Sequence, residues 1–280
     1  MTQTDSKTGF LDRNYFLLRR LHSLTGIMPI GVFLISHLLT NASIVWGRFD
    51  SREAAYGHAG AAVFQKEVNF IHSLPFLLLI EIFGLWLPIA FHAALGVVYA
   101  MSGKPNNQRY AYQDNWRYTL QRISGYVGIA FIFYHLATLR WGWTFLIPGG
   151  TQWSAEFAGS TLAQVMQGGP DGVTFKGLVV ALFYFVGVSL LVFHFANGLW
   201  TSAITWGLTI SAKAQKRWGV ACLGVGASLM ALAWAAIFGF MVLDVKSAKD
   251  AEAKILKGPL PVLEKAADAG GSSDLARTAK

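Results

Sequence analysis

The chain has 280 residues, of which 54% are hydrophobic and only 14% are charged. Soluble domains contain about 25% charged residues, so this composition excludes an ordinary soluble protein and indicates a membrane protein. The formal net charge of +8 does not indicate nucleic-acid binding, because the basic residues are scattered and basic loops are typical of membrane proteins.

Stretches that are nearly free of charge predict five membrane-spanning helices. A spanning helix needs about 20 mostly apolar residues, and the segments that meet this length are roughly 21–44, 74–101, 119–146, 174–210 and 218–243. We therefore expect an all-α integral membrane protein with a spanning domain over 21–243, an N-terminal segment over 1–20 and a polar tail over 244–280. The first 20 residues contain no apolar core followed by a cleavage site, so we expect no cleaved signal peptide.

The distribution of Lys and Arg predicts a cytoplasmic N-terminus and a fifth helix that ends outside. Eleven basic residues fall on the N-terminal side of the predicted helices and five fall on the opposite side, and the richer side is normally cytoplasmic. The eleven are Lys7, Arg13, Arg19, Arg20, Lys104, Arg109, Arg117, Arg122, Lys213, Lys216 and Arg217, and the five are Arg48, Arg52, Lys66, Arg140 and Lys176.

The remaining segments carry few chemical signals. The connection at about 147–173 is rich in Gly and polar residues and is long enough to contain an interfacial segment. The tail could form a short surface helix around 246–256, and its final third has the composition of a disordered segment. A single cysteine, Cys222, excludes an intrachain disulfide, a Cys-based zinc or iron–sulfur site and a CxxCH haem attachment, and we expect it to be a small buried apolar residue.

Four histidines lie inside the predicted apolar helices: His37, His92, His135 and His194, one on each of helices I to IV. A single such histidine would most often be a core residue bonded to a neighbouring hydroxyl or carbonyl. Four, placed singly on four helices, favour function, because ionisable residues inside a membrane are costly. Neutral imidazole is a strong ligand for iron, and helical bundles hold cofactors between facing helices.

The depths of the histidines favour two pairs, and therefore two bis-histidine haems, over one four-histidine zinc site. His37 follows Arg20 by 17 residues, about 25 Å of helix, and His135 follows Arg122 by 13 residues, about 20 Å. His92 precedes Met101 by nine residues, only about 14 Å. His37 and His135 thus form an outer pair. His194 is near the middle of a long helix and joins His92 by elimination.

Small residues precede the histidines on helices I and III. Gly26 and Gly31 precede His37, and Gly125 and Gly128 precede the histidine of helix III. Glycines at these positions would give clearance to a porphyrin. They would equally allow close helix packing, for which membrane proteins use the same residues.

Basic and hydroxyl residues recur at the cytoplasmic ends of helices I and III. Arg20 and Ser23 form Arg-x-x-Ser, and Arg122 and Ser124 form Arg-x-Ser. These side chains could bind haem propionates through charge-assisted hydrogen bonds. The alternative for each arginine is an interfacial residue whose charged end reaches the headgroup region.

Four segments together resemble a known family. They are "RRLHSLTGIMPIGVFLISHL", "SLPFLLLIEIFGLWLPIAFHA", "NWRYTLQRISG" with "FIFYHL", and "FHFANGLWTSAITWG", and the similarity extends from about Tyr15 to Met241. The chain resembles the single-chain, five-helix, di-haem cytochrome b membrane-anchor subunit (b558 type) of succinate dehydrogenase and fumarate reductase. The outer III–IV connection and the tail look longer than is usual in that family.

The resemblance implies two b haems, with His92 and His194 as axial ligands of the inner one and His37 and His135 as ligands of the outer one. It also implies a flavoprotein and an iron–sulfur partner subunit, a bacterial cytoplasmic (inner) membrane, and electron relay between the iron–sulfur subunit and menaquinone or ubiquinone. For His22 and Ser23 it favours contacts with haem propionates.

Glu81 is the only carboxylate inside a predicted span, and it precedes His92 by 11 residues, about 16 Å along the helix. At that depth, near the outer haem, its carboxyl group could exchange protons with quinone. The alternative is a structural hydrogen bond to a neighbouring helix.

Two other functions remain open from the sequence. One is the cytochrome b subunit of a hydrogenase or formate dehydrogenase, which a nickel or molybdenum partner protein would reveal. The other is a transporter or channel with four structural histidines, which would have no visible chromophore.

Overall fold

A computed structural model of the chain describes residues 9–102 and 113–258. These residues form helices and no strands. Lys7, Lys104, Arg109 and the tail beyond residue 258 lie outside the described residues. The α-helices are α1 (Phe10–Arg13), α2 (Tyr15–Ile27), α3 (Pro29–Trp46), α4 (Ala59–His72), α5 (Leu77–Glu81), α6 (Leu87–Ser102), α7 (Gln113–His135), α8 (Ala158–Gln167), α9 (Phe175–Thr205), α10 (Ala212–Met241) and α11 (Val245–Leu256).

Five helical segments of the described chain are long and apolar enough to cross a membrane, as predicted. We call them spans I to V: Tyr15–Phe49, Leu77–Ser102, Asn115–Arg140, Phe175–Thr205 and Ala212–Met241. Apolar side chains at helical spacing on span IV, such as Leu178, Leu182 and Phe185, are exposed in the isolated chain. A surface of this kind fits contact with lipid, and the all-α membrane fold is confirmed.

Several span ends differ from the predicted ones. Span I begins at Tyr15 rather than near residue 21. Its first turn contains a hydrogen bond that Nη1 of Arg19 donates to the Tyr15 hydroxyl at 2.6 Å. Span III ends at Arg140 rather than near residue 146. Span IV ends at Thr205 rather than near residue 210 because the chain turns at Gly207, which has a φ of 74°.

Prolines explain two irregularities in the spans. Pro29 has no N–H to donate to the preceding helical turn, and α2 ends at Ile27 just before it. Pro88 likewise cannot donate to the carbonyl four residues earlier. The preceding segment Ile82–Trp86 is a π-helix in which the Leu87 N–H bonds to the Ile82 carbonyl.

A second π-helical segment, Leu136–Arg140, directly follows His135. The Trp141 N–H donates to the Leu136 carbonyl at 2.9 Å, five residues back. The Thr138 hydroxyl donates to the Tyr134 carbonyl at 2.8 Å, a type of bond that bends helices.

The chain divides into two compact units. The first comprises Met1–Ser36, Phe76–Phe131 and Gly187–Ala231. The second comprises His37–Pro75, Ile132–Val186 and Leu232–Lys280, and it contains the three helices that lie between or after the spans, α4, α8 and α11.

A buried polar cluster in the second unit joins α4, α8 and α11. The Glu252 carboxylate on α11 accepts hydrogen bonds from the N–H groups of Gly159 and Ser160, at 2.7 and 2.9 Å, and from the Ser160 hydroxyl at 2.5 Å. It therefore pairs with N–H groups that begin α8 and lack a partner within that helix. On α4, Gln65 donates to the Ala155 carbonyl at 2.7 Å and accepts from the Ala158 N–H at 2.9 Å.

The predicted surface helix in the tail is confirmed as α11, which begins after an N-cap in which Asp244 accepts from the Ser247 N–H at 2.7 Å. The predicted III–IV connection contains the helix α8, and Cys222 is buried as expected. The helix α4, between spans I and II, was not predicted.

Candidate functional site

His92 on span II and His194 on span IV face each other within the first unit. Their ring centres are 6.1 Å apart and their ring planes are inclined by 81°. Metal–imidazole bonds of about 2 Å on opposite sides of one metal ion place the two ring centres about 6 Å apart. The spacing of the two rings therefore leaves room for one metal ion between them.

Hydrogen bonds fix the tautomer of both rings. The Nδ1 atom of His92 lies 2.8 Å from the His22 carbonyl oxygen, and that of His194 lies 3.1 Å from the Gln121 carbonyl oxygen. A carbonyl only accepts, so each Nδ1 carries the proton and each Nε2 carries the lone pair. A proton on Nδ1 bonded to a carbonyl is the arrangement by which proteins orient a histidine that ligates metal through its other nitrogen.

His22 lies directly on the first histidine pair. Its ring stacks on His92 with centres 4.0 Å apart and planes within 13°, and it meets the Tyr99 ring edge-on at 5.6 Å. The Nδ1 atom of His22 is buried and has no hydrogen-bond partner in the described part of the chain. A buried nitrogen of this kind fits a site where a polar group of a cofactor supplies the partner.

Two glycines make room for these imidazoles. A Cβ atom on Gly26 would lie 2.6 Å from Cε1 of His92, and one on Gly125 would lie 3.2 Å from Cε1 of His194. Gly31 and Gly128 instead face the side chains of Phe195 and Leu191. Each of the four glycines therefore lies against a side chain of another span, and at Gly26 and Gly125 that side chain is a candidate ligand.

His37 on span I and His135 on span III form the corresponding pair in the second unit. Their ring centres are 5.8 Å apart and their planes are inclined by 82°. Nδ2 of Asn41 lies 3.4 Å from Nε2 of His37, and the Tyr184 hydroxyl lies 3.4 Å from Nδ1 of His135. This spacing also fits one metal ion between the two rings.

A carboxyl group outside the spans lies near the turn that follows His37. Glu67 on α4 is hydrogen-bonded to the side chains of Thr40 and Ser43. Burial raises the pKa of Glu67, and these two hydrogen bonds oppose the rise. No pattern in the sequence indicates this contact, because the helix α4 was not predicted.

Of the candidate propionate residues, Arg20 and Ser23 lie beside the Trp206 ring, whereas Arg122 and Ser124 have other partners. The Trp206 indole N–H donates to the Ser23 hydroxyl at 2.8 Å, and the guanidinium carbon of Arg20 lies 5.9 Å from the centre of the Trp206 ring. Arg122 donates to the Ala100 carbonyl. The Ser124 hydroxyl is fully buried and lies 3.2 Å from Nδ1 of His194, so it contacts the candidate ligand itself.

Glu81 is the last residue of α5 and directly precedes the π-helical segment Ile82–Trp86. Its side chain is half-buried. Segments of π-helix occur frequently at functional sites. Within residues 9–102 and 113–258 there are two such segments, and they directly follow Glu81 and His135, two residues singled out in the sequence.

Comparison with known proteins identifies the family. The chain is 34% identical over 226 residues to the succinate dehydrogenase cytochrome b558 subunit of Bacillus subtilis (strain 168), which covers 81% of this chain and 97% of that protein. The chain belongs to the succinate dehydrogenase cytochrome b family. No protein-family model and no solved structure matches it.

Sequence reasoning missed several residues that surround the candidate ligands. Gln121 and Asn197 hold the segment around His194, while Asn41 and Tyr184 lie beside the second pair. The signal in the sequence was spacing: Asn41 follows His37 by four residues and Asn197 follows His194 by three, so each lies on the helix face of its histidine.

Proposed function

We propose that the chain is the membrane-anchor subunit of a succinate dehydrogenase or fumarate reductase and carries electrons between an iron–sulfur subunit and quinone through two bis-histidine b haems. The observation that carries this proposal is the pairing of four intramembrane histidines, with ring centres 6.1 and 5.8 Å apart, in a chain of this family.

In this proposal His92 and His194 hold the inner haem, and His37 and His135 hold the outer one. A haem iron with two imidazole ligands supplies one-electron transfer when bound. The protein orients the inner ligands through the carbonyls of His22 and Gln121, and the surrounding spans keep water from the rings.

At the cytoplasmic ends of the spans, Arg20, Ser23 and Arg122 would bind propionates, together with the unpartnered Nδ1 of His22. Carboxylates are bound well by arginine and by N–H donors in a partly buried place. Ser124 would act on the haem through its contact with the axial ligand His194.

The predicted N-terminal orientation rests on the distribution of basic residues, eleven against five. It would direct the basic ends of spans I, III and V toward a flavoprotein and an iron–sulfur subunit in the cytoplasm. Membership of this family, with a bacterial relative, supports a bacterial cytoplasmic membrane as the location.

Glu81 remains our candidate for proton exchange with menaquinone or ubiquinone. It lies 11 residues before His92, about 16 Å toward the other end of span II. Quinone reduction on the outer side would move each electron through much of the membrane, where the field contributes about 2.3 kcal/mol per charge per 100 mV.

The test is the haem content of the purified protein, measured from its pyridine haemochrome and its reduced-minus-oxidised spectrum. We expect two b haems per chain, and His92→Ala and His194→Ala should each lose one and the same spectral component. His72→Ala, a control that changes an exposed histidine outside both pairs, should keep both. Two haems retained in either ligand variant would contradict the assignment, and a nickel or molybdenum protein as partner would contradict the succinate function.

A further inference from the structure

A chain of hydrogen bonds joins a guanidinium group to the segment of His194 within the first unit. Nε of Arg117 donates to Oδ1 of Asn197 at 2.9 Å, and Nδ2 of Asn197 donates to Oε1 of Gln121 at 2.8 Å. Nε2 of Gln121 then donates to the His194 carbonyl at 3.1 Å. Four groups on two spans are thus linked in series.

The arginine fixes the direction of every bond in this chain. A guanidinium only donates, so the oxygen of Asn197 must face Arg117 and its NH₂ group must face Gln121. The oxygen of Gln121 must then face Asn197, and its NH₂ group must face the His194 carbonyl, which only accepts. Both amides therefore have one orientation, and bonds aligned in this way polarise one another.

The last link of the chain is reciprocal. The Gln121 side chain donates to the His194 carbonyl, while the His194 side chain donates through Nδ1 to the Gln121 carbonyl at 3.1 Å. Each residue's side chain is bonded to the other's backbone, which fixes both the helix register and the direction of the imidazole. Loss of the amide half would leave the ring held by a carbonyl on a helix that is free to shift.

The arginine is itself held in place. Its guanidinium carbon lies 3.9 Å from the centre of the Trp200 ring, and the Trp200 indole N–H donates to the Gln215 carbonyl at 3.0 Å. Arg117 and Gln121 are four residues apart on span III, so their side chains share one face of the helix. Asn197 is almost fully buried, with 4% of its surface exposed, so its amide has no access to water as a substitute partner.

We propose that Arg117, Asn197 and Gln121 are positioning residues that fix the orientation of the His194 imidazole, and through it the ligand plane and reduction potential of the inner haem. This inference rests on the proposed function, in which His194 is an axial ligand. The single direction of donation from Arg117 through Asn197 to Gln121 is the physical property that the three residues supply.

The experiment interrupts the series of hydrogen bonds at Asn197, in the full-length protein. Asn197→Leu removes both bonds and keeps the Arg117 charge, and Asn197→Asp can accept from Arg117 but cannot donate to Gln121. Arg117→Lys is the conservative variant, because an ammonium still donates. Arg117→Leu removes both the donor and its charge. Lys216→Leu removes an equal charge from an exposed position and serves as its matched control.

The readouts are the electron paramagnetic resonance spectrum of the oxidised protein and a redox titration followed optically. The g values of low-spin ferric haem depend on the angle between its two axial rings. We expect Asn197→Leu, Asn197→Asp and Arg117→Leu to shift the largest g value of one haem, and Arg117→Lys and Lys216→Leu to leave it unchanged. In Asn197→Leu the His194 imidazole is less firmly held and becomes a weaker electron-pair donor to the iron, so the reduction potential of that haem should rise. At fixed potential its reduced-to-oxidised ratio should increase about tenfold, which corresponds to a rise of about 59 mV for one electron.

The outcomes separate the inference from the proposed function. If His194→Ala loses one haem but the Asn197 variants keep wild-type g values and potentials, the positioning role is wrong and the ligand assignment stands. If the wild type lacks haem, or His194→Ala retains both, the proposed function fails first. A shift of the same size in Lys216→Leu would show a general charge effect and would overturn the inference.

Discussion

The substitution Gly26→Ala should cause the loss of one haem, because the added methyl group displaces the His92 ring. The added Cβ atom would lie 2.6 Å from Cε1 of His92, whereas ordinary contacts begin at 3.4 Å, so the ring must retreat by about 3.4 − 2.6 = 0.8 Å. A retreat of that size can stretch the 2.8 Å bond from Nδ1 to the His22 carbonyl beyond hydrogen-bond length. Overpacking of this kind costs about 1–3 kcal/mol, which exceeds the roughly 0.5–1 kcal/mol that alanine gains over glycine inside a helix.

Substitutions at two other glycines, with a smaller clash and with no clash, serve as comparison variants. Gly125→Ala would place Cβ 3.2 Å from Cε1 of His194, so a movement of a few tenths of an ångström relieves it and the haem should be retained. Gly224 has open space around it, and Gly224→Ala should match the wild type. The assay is haem per chain and the reduced-minus-oxidised spectrum of each variant. Wild-type haem content in Gly26→Ala, or a greater loss in Gly125→Ala, would refute the steric reasoning.

Three further substitutions probe contacts beyond that ring. Burial raises the pKa of Glu252 above its ordinary 4.5, although the hydrogen bonds from Ser160 and Gly159 oppose the rise. Protonation therefore relieves the cost of burying the charge, and docking of α11 on α8 should become more favourable as the pH falls toward 4.5. Hydrogen exchange of α11, corrected for intrinsic rates, should show this trend in the wild type and not in Glu252→Gln; equal pH dependence in both would count against it. Gln167→Leu should lower the free energy of unfolding by about 1–3 kcal/mol, because Nε2 of Gln167 donates to the carbonyls of Phe240, in the last turn of span V, and Leu243, just after it. Gln164→Leu should not have this effect, and equal melting temperatures of the two variants in detergent would contradict the prediction. Tyr184→Phe removes the hydroxyl 3.4 Å from Nδ1 of His135. The imidazole then becomes a weaker electron-pair donor to the iron, so the reduction potential of one haem should rise. A redox titration with unchanged potentials would exclude a role for this hydroxyl.

The features that could be predicted from the sequence are those that depend on local composition. Five apolar segments predicted five spans, because the bilayer requires a fixed length of apolar helix whatever the tertiary contacts. The pairing of His37 with His135 followed from depth along the helices, because the rise per residue is constant. The pairing of His194 needed elimination, since a long helix does not fix the depth of its central residues.

The features that could not be predicted depend on contacts between distant segments. Glu252 meets Ser160 across more than ninety residues, and the chain from Arg117 to Asn197 joins two spans. No spacing in the sequence relates these residues. The helix α4 was missed because its mixture of small, polar and apolar residues packs against α8 and α11 rather than lipid.

The sequence also could not predict which histidine ring Gly26 makes room for. Gly26 precedes His37 on its own helix, and the sequence associated it with that histidine. In the structure Gly26 faces His92 of another span. A glycine allows the close approach of a neighbouring helix, so its partner is defined by packing and not by its place in the chain.

The most direct test of the central claim, that the four intramembrane histidines bind two haems in pairs, is the molar ratio of haem to chain in the folded, fully loaded protein, combined with its low-temperature resonance spectrum. We expect two b haems per chain, each with the low-spin signal of two imidazole ligands. A folded protein that binds no haem, or that shows a high-spin signal from a single histidine ligand, would contradict it.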